Sequence, residues 1–136
     1  MYCSSSTTAG TSWSVQTNVS DAAAGVEHAF PALVAGAAGD VRIAWMDARV
    51  SETGPPNRPL WNTFYRSSTN GGATWSAETQ LSVPVRGYDY ILPVGFRFPF
   101  GDYFGLAIAG DGATHAVWGE GRNYKSPGSI WYAQGR

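Results

Sequence analysis

The sequence predicts an all-β chain built of four-stranded antiparallel meanders that pack face to face. Three observations lead there. Apolar runs of strand length recur between turns rich in Gly, Pro, Asn and Asp, and no segment sustains a helical period. Charged residues make up 14%, below the usual quarter, while Gly reaches 17 and Trp six, a balance that suits short strands and tight turns. The pattern also repeats at spacings of about sixty-five residues, a period that fits stacked multi-strand units.

The elements follow in order, with the strands of each unit lettered a to d. Residues 1–20 hold strands c and d of a first unit, beginning with "YCSSS". A complete unit spans 29–83. Its strand a is "PALVAG", the turn "AAGD" follows, and strand b is "VRIAWMDA". A Pro-rich loop leads to strand c, "NTFYRSS", then to "STNGGATW" and to strand d, "AETQLSV". A long loop containing "RGYDYILPVGFRFPFGDY" connects to strands a to c of a third unit, over 102–136: "GLAIAG", "HAVWGEG" and "SIWYAQGR".

The repeats are specific. "HAFPALVAG" matches "DYFGLAIAG", and Trp45, Asp47 and Arg49 match Trp118, Glu120 and Arg122. "FYRSS" matches both "YCSSS" and "WYAQG". Ser6, Thr8, Gly10, Ser12 and Trp13 stand where Ser68, Asn70, Gly72, Thr74 and Trp75 stand. Strand a is small and apolar, as strands crowded around an axis must be. Strand b is apolar on both faces, as expected when neighbours cover both sides of its sheet. Radially packed blades of a β-propeller satisfy both demands, and the chain supplies about two blades of a six- or seven-bladed ring. A sandwich of similar strands is the alternative.

Composition excludes several functions. Net charge is −1, which gives no footprint for nucleic acid or an anionic membrane. No apolar run approaches membrane-spanning length. The opening "MYCSSSTTAG" lacks the basic start and apolar middle of a signal peptide. Cys3 stands alone, so neither an internal disulfide nor a multi-Cys metal site is expected. No cofactor is called for.

"STNGGATW" resembles the Asp box, or BNR repeat, S-x-D-x-G-x-T-W, of sialidase-like propellers, with Asn70 in place of the Asp. "FPALVAGAAGDVRIAWMDAR" is similar to the a–b hairpin of the same proteins. The role of the box is structural. Asn70 can accept from nearby N–H groups and hold a turn. Gly72 tolerates positive φ, Ser68 and Thr74 can cap backbone groups, and Trp75 can anchor the turn with its ring. A metal or ligand site there is the alternative, disfavoured by the scarcity of charged oxygens.

Meander topology places the a–b and c–d turns at one end of each sheet and the b–c and d–a loops at the other. The loop end is where binding residues concentrate on a rigid scaffold. It collects Asp47, Arg49, Arg58, Arg86, Tyr88, Asp89, Tyr90, Arg97, Asp102, Tyr103, Glu120 and Arg122. Arg49, Arg97, Arg122, Tyr88, Asp89 and Glu120 are the candidate substrate-binding residues. Asp102, Tyr103 and Asp47 are the weak catalytic candidates. Asp47 with Arg49, and Glu120 with Arg122, lie two apart, so each pair could grip a polar ligand or act as a salt bridge tying its loop down. Asp102 and Tyr103 precede an innermost strand and could face a central channel. Tyr88, Asp89 and Tyr90 could stack on a sugar ring or order their loop. His28, aligned with Asp102, reads as structural.

The resemblance implies a carbohydrate or glycoconjugate partner, an extracellular or cell-surface location, and exo-α-sialidase chemistry. That chemistry uses an arginine triad for the substrate carboxylate, a Tyr–Glu nucleophile pair and an Asp acid/base. The sequence departs from it: no Tyr–Glu pair can be assigned, so the catalytic set is incomplete in this chain, and the family's F/Y-R-I-P motif meets "HAFP", with Ala29 where the arginine belongs. "FRFP", with Arg97, imitates the motif but lies too early in the chain. The alternative function is a non-catalytic propeller for binding, adhesion or assembly. Two units cannot close a ring and would expose apolar sheet faces. Either the rest of a longer parent propeller or identical copies are expected to cover them.

Overall fold

The computed structural model describes residues 1–51, 53, 59–83, 85–86, 91–92, 95–96, 103–120 and 129–135, with backbone alone at 85–86, 91–92, 95–96, 120 and 129. The described residues form strands and no helix, so the all-β expectation holds. Among the described residues no helix is long and apolar enough to cross a membrane.

The central sheet is an up-and-down meander of β3 (His28–Ala35), β4 (Val41–Ser51), β5 (Pro59–Ser68) and β6 (Thr79–Gln80), in that spatial order and antiparallel throughout. Before it come β1 (Tyr2–Cys3) and β2 (Thr17–Asn18), which form a two-stranded sheet. After it come β7 (Val85–Arg86), the small hairpin β8 (Ile91–Leu92) and β9 (Gly95–Phe96), and a three-stranded meander of β10 (Phe104–Ile108), β11 (Thr114–Glu120) and β12 (Ser129–Gly135).

Two strand extents differ from the sequence reading. β4 and β5 run into the Pro-rich loop, pairing Val50 with Leu60 and Ser51 with Pro59. Pro59 begins its strand, where a missing N–H is tolerated. The outermost strand is also longer, because β7 rejoins the edge of β5 through Leu60↔Arg86 and Trp61↔Val85. Between β6 and β7 the chain stays pinned: Leu81 N donates to Thr63 O, and Thr63 N donates to the Ser82 hydroxyl.

Strand β4 explains why the three sheets stack. Ile43 to Asp47 are all buried, so both faces of the strand are covered. Ile43, Trp45 and Phe64 face the first sheet and enclose Val19, with Met1 and Cys3 packed beside them. Met46 and Trp61 face the third sheet and meet Ala116 and Trp118. Each large apolar side chain so buried contributes about 1.5–3 kcal/mol. Trp45 stacks on Phe64 at 6.2 Å, and its repeat partner Trp118 stacks on Phe104 at 5.7 Å.

The spacing between the second and third sheets is uneven. Their first strands, β3 and β10, lie side by side. A Cβ added to Gly36 would stand 2.7 Å from Asp40 Oδ2 and 2.9 Å from Ile108 Cδ1, so a larger residue would have to push those side chains aside. Toward the outer strands the same two sheets part around a cleft of about 210 Å³ bordered by Tyr65, Leu81, Ala116 and Ala133.

Candidate functional face

One end of the stack is built by the tryptophan-bearing turns. In the second unit the Ser68 hydroxyl accepts from Asn70 N at 3.2 Å and from Gly72 N at 2.8 Å. Asn70 Oδ1 accepts from Thr74 N at 2.9 Å, and Asn70 Nδ2 donates to the Thr74 hydroxyl. The first unit repeats the scheme. The Ser6 hydroxyl accepts from Thr8 N at 3.2 Å and Gly10 N at 2.8 Å, and the Thr8 hydroxyl accepts from Ser12 N at 2.9 Å. A threonine hydroxyl thus does the work of the Asn70 carbonyl. Both turns close alike, with Ser14 N on Ser5 O and Ser76 N on Ser67 O.

The a–b turn shares this end. Gly71 N donates to Gly39 O at 2.9 Å. Gly39 has φ 87°, and a Cβ there would lie 2.5 Å from Thr69 O, so only glycine fits. Arg42, next to this turn, donates to Gly112 O and to the Thr114 hydroxyl and so ties the second sheet to the third. Its bonds to Asp40 hold that carboxyl below its ordinary range.

The opposite end carries a shallow recess of about 530 Å³. Ala24 to Glu27 form one wall, and Ala48, Ser51 and Pro59 form the other. Ala48 N donates to Glu27 O, which joins the walls at the floor. Here β3 makes a bulge between Ala29 and Ala32, with Phe30 held at φ 50°. A bulky residue in that region is strained, and such strain and such bulges cluster beside functional sites.

Beneath the recess, toward the first sheet, lies a charged network. Asp47 is fully buried and accepts from Trp45 Nε1 at 3.0 Å and from Arg49 Nη2 at 2.8 Å. Arg49 also bonds Glu78 and the Ser20 hydroxyl, and its guanidinium lies 3.8 Å from the centre of the Phe64 ring. Burial opposes the Arg49 charge, but the bonds to Glu78 and Asp47 outweigh it and raise the pKa. Burial pushes Glu78 up, yet Arg49 and the Asp21 N–H leave it below its ordinary value. His28 has Nδ1 2.9 Å from Val26 O and Nε2 3.0 Å from the Ser20 hydroxyl, with Asp47 at 3.7 Å. Its pKa is lowered, first by burial and then by the Met1 ammonium, against the pull of Asp47.

The sequence candidates therefore separate. Asp47 and Arg49 meet each other and His28, together with Glu78 and Ser20, which local spacing did not single out. Tyr103 is 84% exposed just before β10. Glu120 ends β11, paired with Ser129, and Arg86 lies in β7; of both only the backbone is described. Arg58, Tyr88, Asp89, Tyr90, Arg97, Asp102 and Arg122 lie outside the described residues. Among the described residues no three His, Cys, Asp or Glu side chains converge where a metal ion could sit. Glu27, exposed on the rim of the recess, is an addition; its only sequence signal was its place before the aligned His28.

Comparison with known proteins gives no match to a family model, to a curated protein or to a solved structure.

Proposed function

We propose that this chain is part of a sialidase-like β-propeller that engages carbohydrate or glycoconjugate at its loop end. The observation that carries the reading is the pair of tryptophan-bearing turns with the same hydrogen-bond scheme at one end of the stack, opposite a recess walled by the b–c and d–a segments. The uneven sheet spacing supports a ring. Sheets that nearly touch at their first strands and part at their outer strands are wedges, and wedges fanned about an axis make a propeller. Ligands of such scaffolds sit in loops at one end. The same reading puts the protein outside the cell or on its surface.

Two forms of the function differ in chemistry. Exo-sialidase hydrolysis needs convergent arginines, a Tyr–Glu pair and an acid/base carboxylate, and would draw on Arg97, Asp102 and Arg122. A non-catalytic glycan-binding propeller is favoured by one observation: Asp47 and Arg49 already satisfy each other and their neighbours within the stack. The test pairs a panel of sialylated and neutral glycans with a fluorogenic α-sialoside. Binding without turnover is the expected result. Turnover would establish the hydrolase, and binding to no glycan would remove the carbohydrate reading altogether.

A further inference from the structure

We propose that the cleft beside β12 is the seat of a tryptophan, and that a second copy of this chain fills it with the turn carrying Trp13, pairing its strand β2 on the open edge of β12. The inference extends the stacked-sheet part of the proposed function and needs no glycan.

The internal repeat identifies the seat. Between the first and second sheets, Trp75 packs on a cluster that includes Val19 and Ile43. The repeats map Val19 onto Leu81 and Ile43 onto Ala116. Both of those residues line the 210 Å³ cleft between the second and third sheets. The cleft is thus the same site one sheet later, with no ring in it from the described residues.

The chain also carries a matching unseated ring. Trp13 is the repeat partner of Trp75, its turn has the same hydrogen-bond scheme, and it is 62% exposed. The edge it requires is present as well. β1 and β12 are both copies of the third strand β5, through "YCSSS", "WYAQG" and "FYRSS". β5 receives β6 with Phe64 opposite Gln80 and Tyr65 opposite Thr79, while β1 receives β2 with Tyr2 opposite Asn18 and Cys3 opposite Thr17. β12 pairs with β11 on one side and with no strand on the other among the described residues. In the exchanged register, Trp131 and Tyr132 of one copy face Asn18 and Thr17 of the next. The β1–β2 ladder that is given up is two residue pairs long, whereas β12 offers seven residues.

The exchange also accounts for an exposed face. Ile130 (83%) and Tyr132 (59%) lie bare on the far side of the third sheet with Val117. Their counterparts Thr63 and Tyr65 lie on the face of the second sheet that the third sheet covers, and there Tyr65 bonds the Thr114 hydroxyl. Once β12 takes the place of β1, this face lies against the second sheet of the neighbouring copy. The contact is head-to-tail, so it propagates to a closed ring or a chain of copies.

Light scattering across a micromolar concentration series provides the first test. The expected result is particles at multiples of 14.5 kDa, and a return to 14.5 kDa in Trp13→Ala with an unchanged circular dichroism spectrum. The second test uses a synthetic peptide of residues 5–20. It should bind the Trp13→Ala protein, whose seat is open, at least tenfold more tightly than the same peptide bearing Trp13→Ala. A folded wild-type particle of 14.5 kDa at every concentration overturns the proposal, as does equal binding of the two peptides. Glycan binding is scored separately, so either reading can fail alone.

Discussion

Ala9 and Gly71 occupy the same left-handed backbone position in the two tryptophan-bearing turns, with φ of 52° and 70°. The turn demands that conformation from whichever residue stands there. Glycine adopts it freely, whereas an L-residue with a Cβ is strained. A Cβ at Gly71 would meet nothing within 4 Å, so the cost there is conformational and not steric. Ala9→Gly is therefore expected to stabilise by about 0.5–1 kcal/mol, and Gly71→Ala to destabilise by a similar amount. Urea unfolding of both variants checks the pair. An unchanged midpoint in both would mean that the turns are not held in this conformation in solution.

Ser68 and Ser6 make the same bonds from different depths. Ser68 is buried at 3% exposure, and its hydroxyl serves the N–H groups of Asn70 and Gly72. Its removal leaves two part-buried donors without their acceptor, which costs about 1 kcal/mol, the lower end for a stranded group. Around the Ser6 turn the N–H groups are exposed, and water can replace the hydroxyl. Ser68→Ala should therefore lower the thermal midpoint clearly more than Ser6→Ala. Equal losses would mean that the first turn is as deeply packed as the second.

How much of this was legible in the sequence follows from the range of each signal. Strand order and turn positions could be read because apolar runs of strand length, the turn "AAGD" and the Ser68–Trp75 turn act within a few residues. The Asp47–Arg49 contact was visible as an i, i+2 pair on one face. The bonds of Arg49 to Glu78 and of Arg66 to Asp21 were not visible, since their partners lie 29 and 45 residues away and meet only once the meander has folded and, for Asp21, the first sheet has packed on it. Phe30 was equally hidden, because nothing in "HAFP" announces a phenylalanine at positive φ. The extension of the outer strand to Arg86 was masked by the interruption at Ser82, whose hydroxyl takes the N–H that a regular ladder would have paired.

His28 and Glu78, both bonded into the network around buried Asp47, set a pH dependence. Asp47→Ala should cost about 3 kcal/mol, the low end for breaking a buried pair, because Trp45 Nε1 loses its acceptor and Arg49 loses one carboxylate while keeping Glu78. The two titrations act in separate windows. The pKa of His28 is lower in the folded protein than in the unfolded chain, so the unfolded chain binds the proton first. Stability therefore falls as pH drops below about 6.5, and His28→Gln should flatten that part of the profile. Glu78 is also lowered, but as a carboxylate its contribution is present above its unfolded pKa and is lost as pH falls below about 4.5. Urea midpoints measured from pH 8 to 3 should show two descending steps in wild type and only the lower step in His28→Gln. An upper step that survives in His28→Gln would assign it to another group.

Under the proposed function, Tyr103 separates binding from stability. It is 84% exposed at the start of β10, and β10 lies beside β3, whose bulge borders the loop end. It also aligns with Ala29, so the third unit presents an aromatic ring where the second presents a methyl group. An exposed ring with a polar tip suits stacking against a sugar and contributes little to folding. Tyr103→Ala should leave the unfolding free energy within about 0.5 kcal/mol of wild type, as surface substitutions do. Affinity for the glycan that binds best should fall about tenfold, corresponding to roughly 1.4 kcal/mol. Tyr103→Phe should keep most of that affinity if stacking dominates, and should match Tyr103→Ala if the hydroxyl carries the contact. Titration calorimetry of the three proteins decides between the two, and wild-type affinity in Tyr103→Ala would move the glycan contact away from the innermost strand.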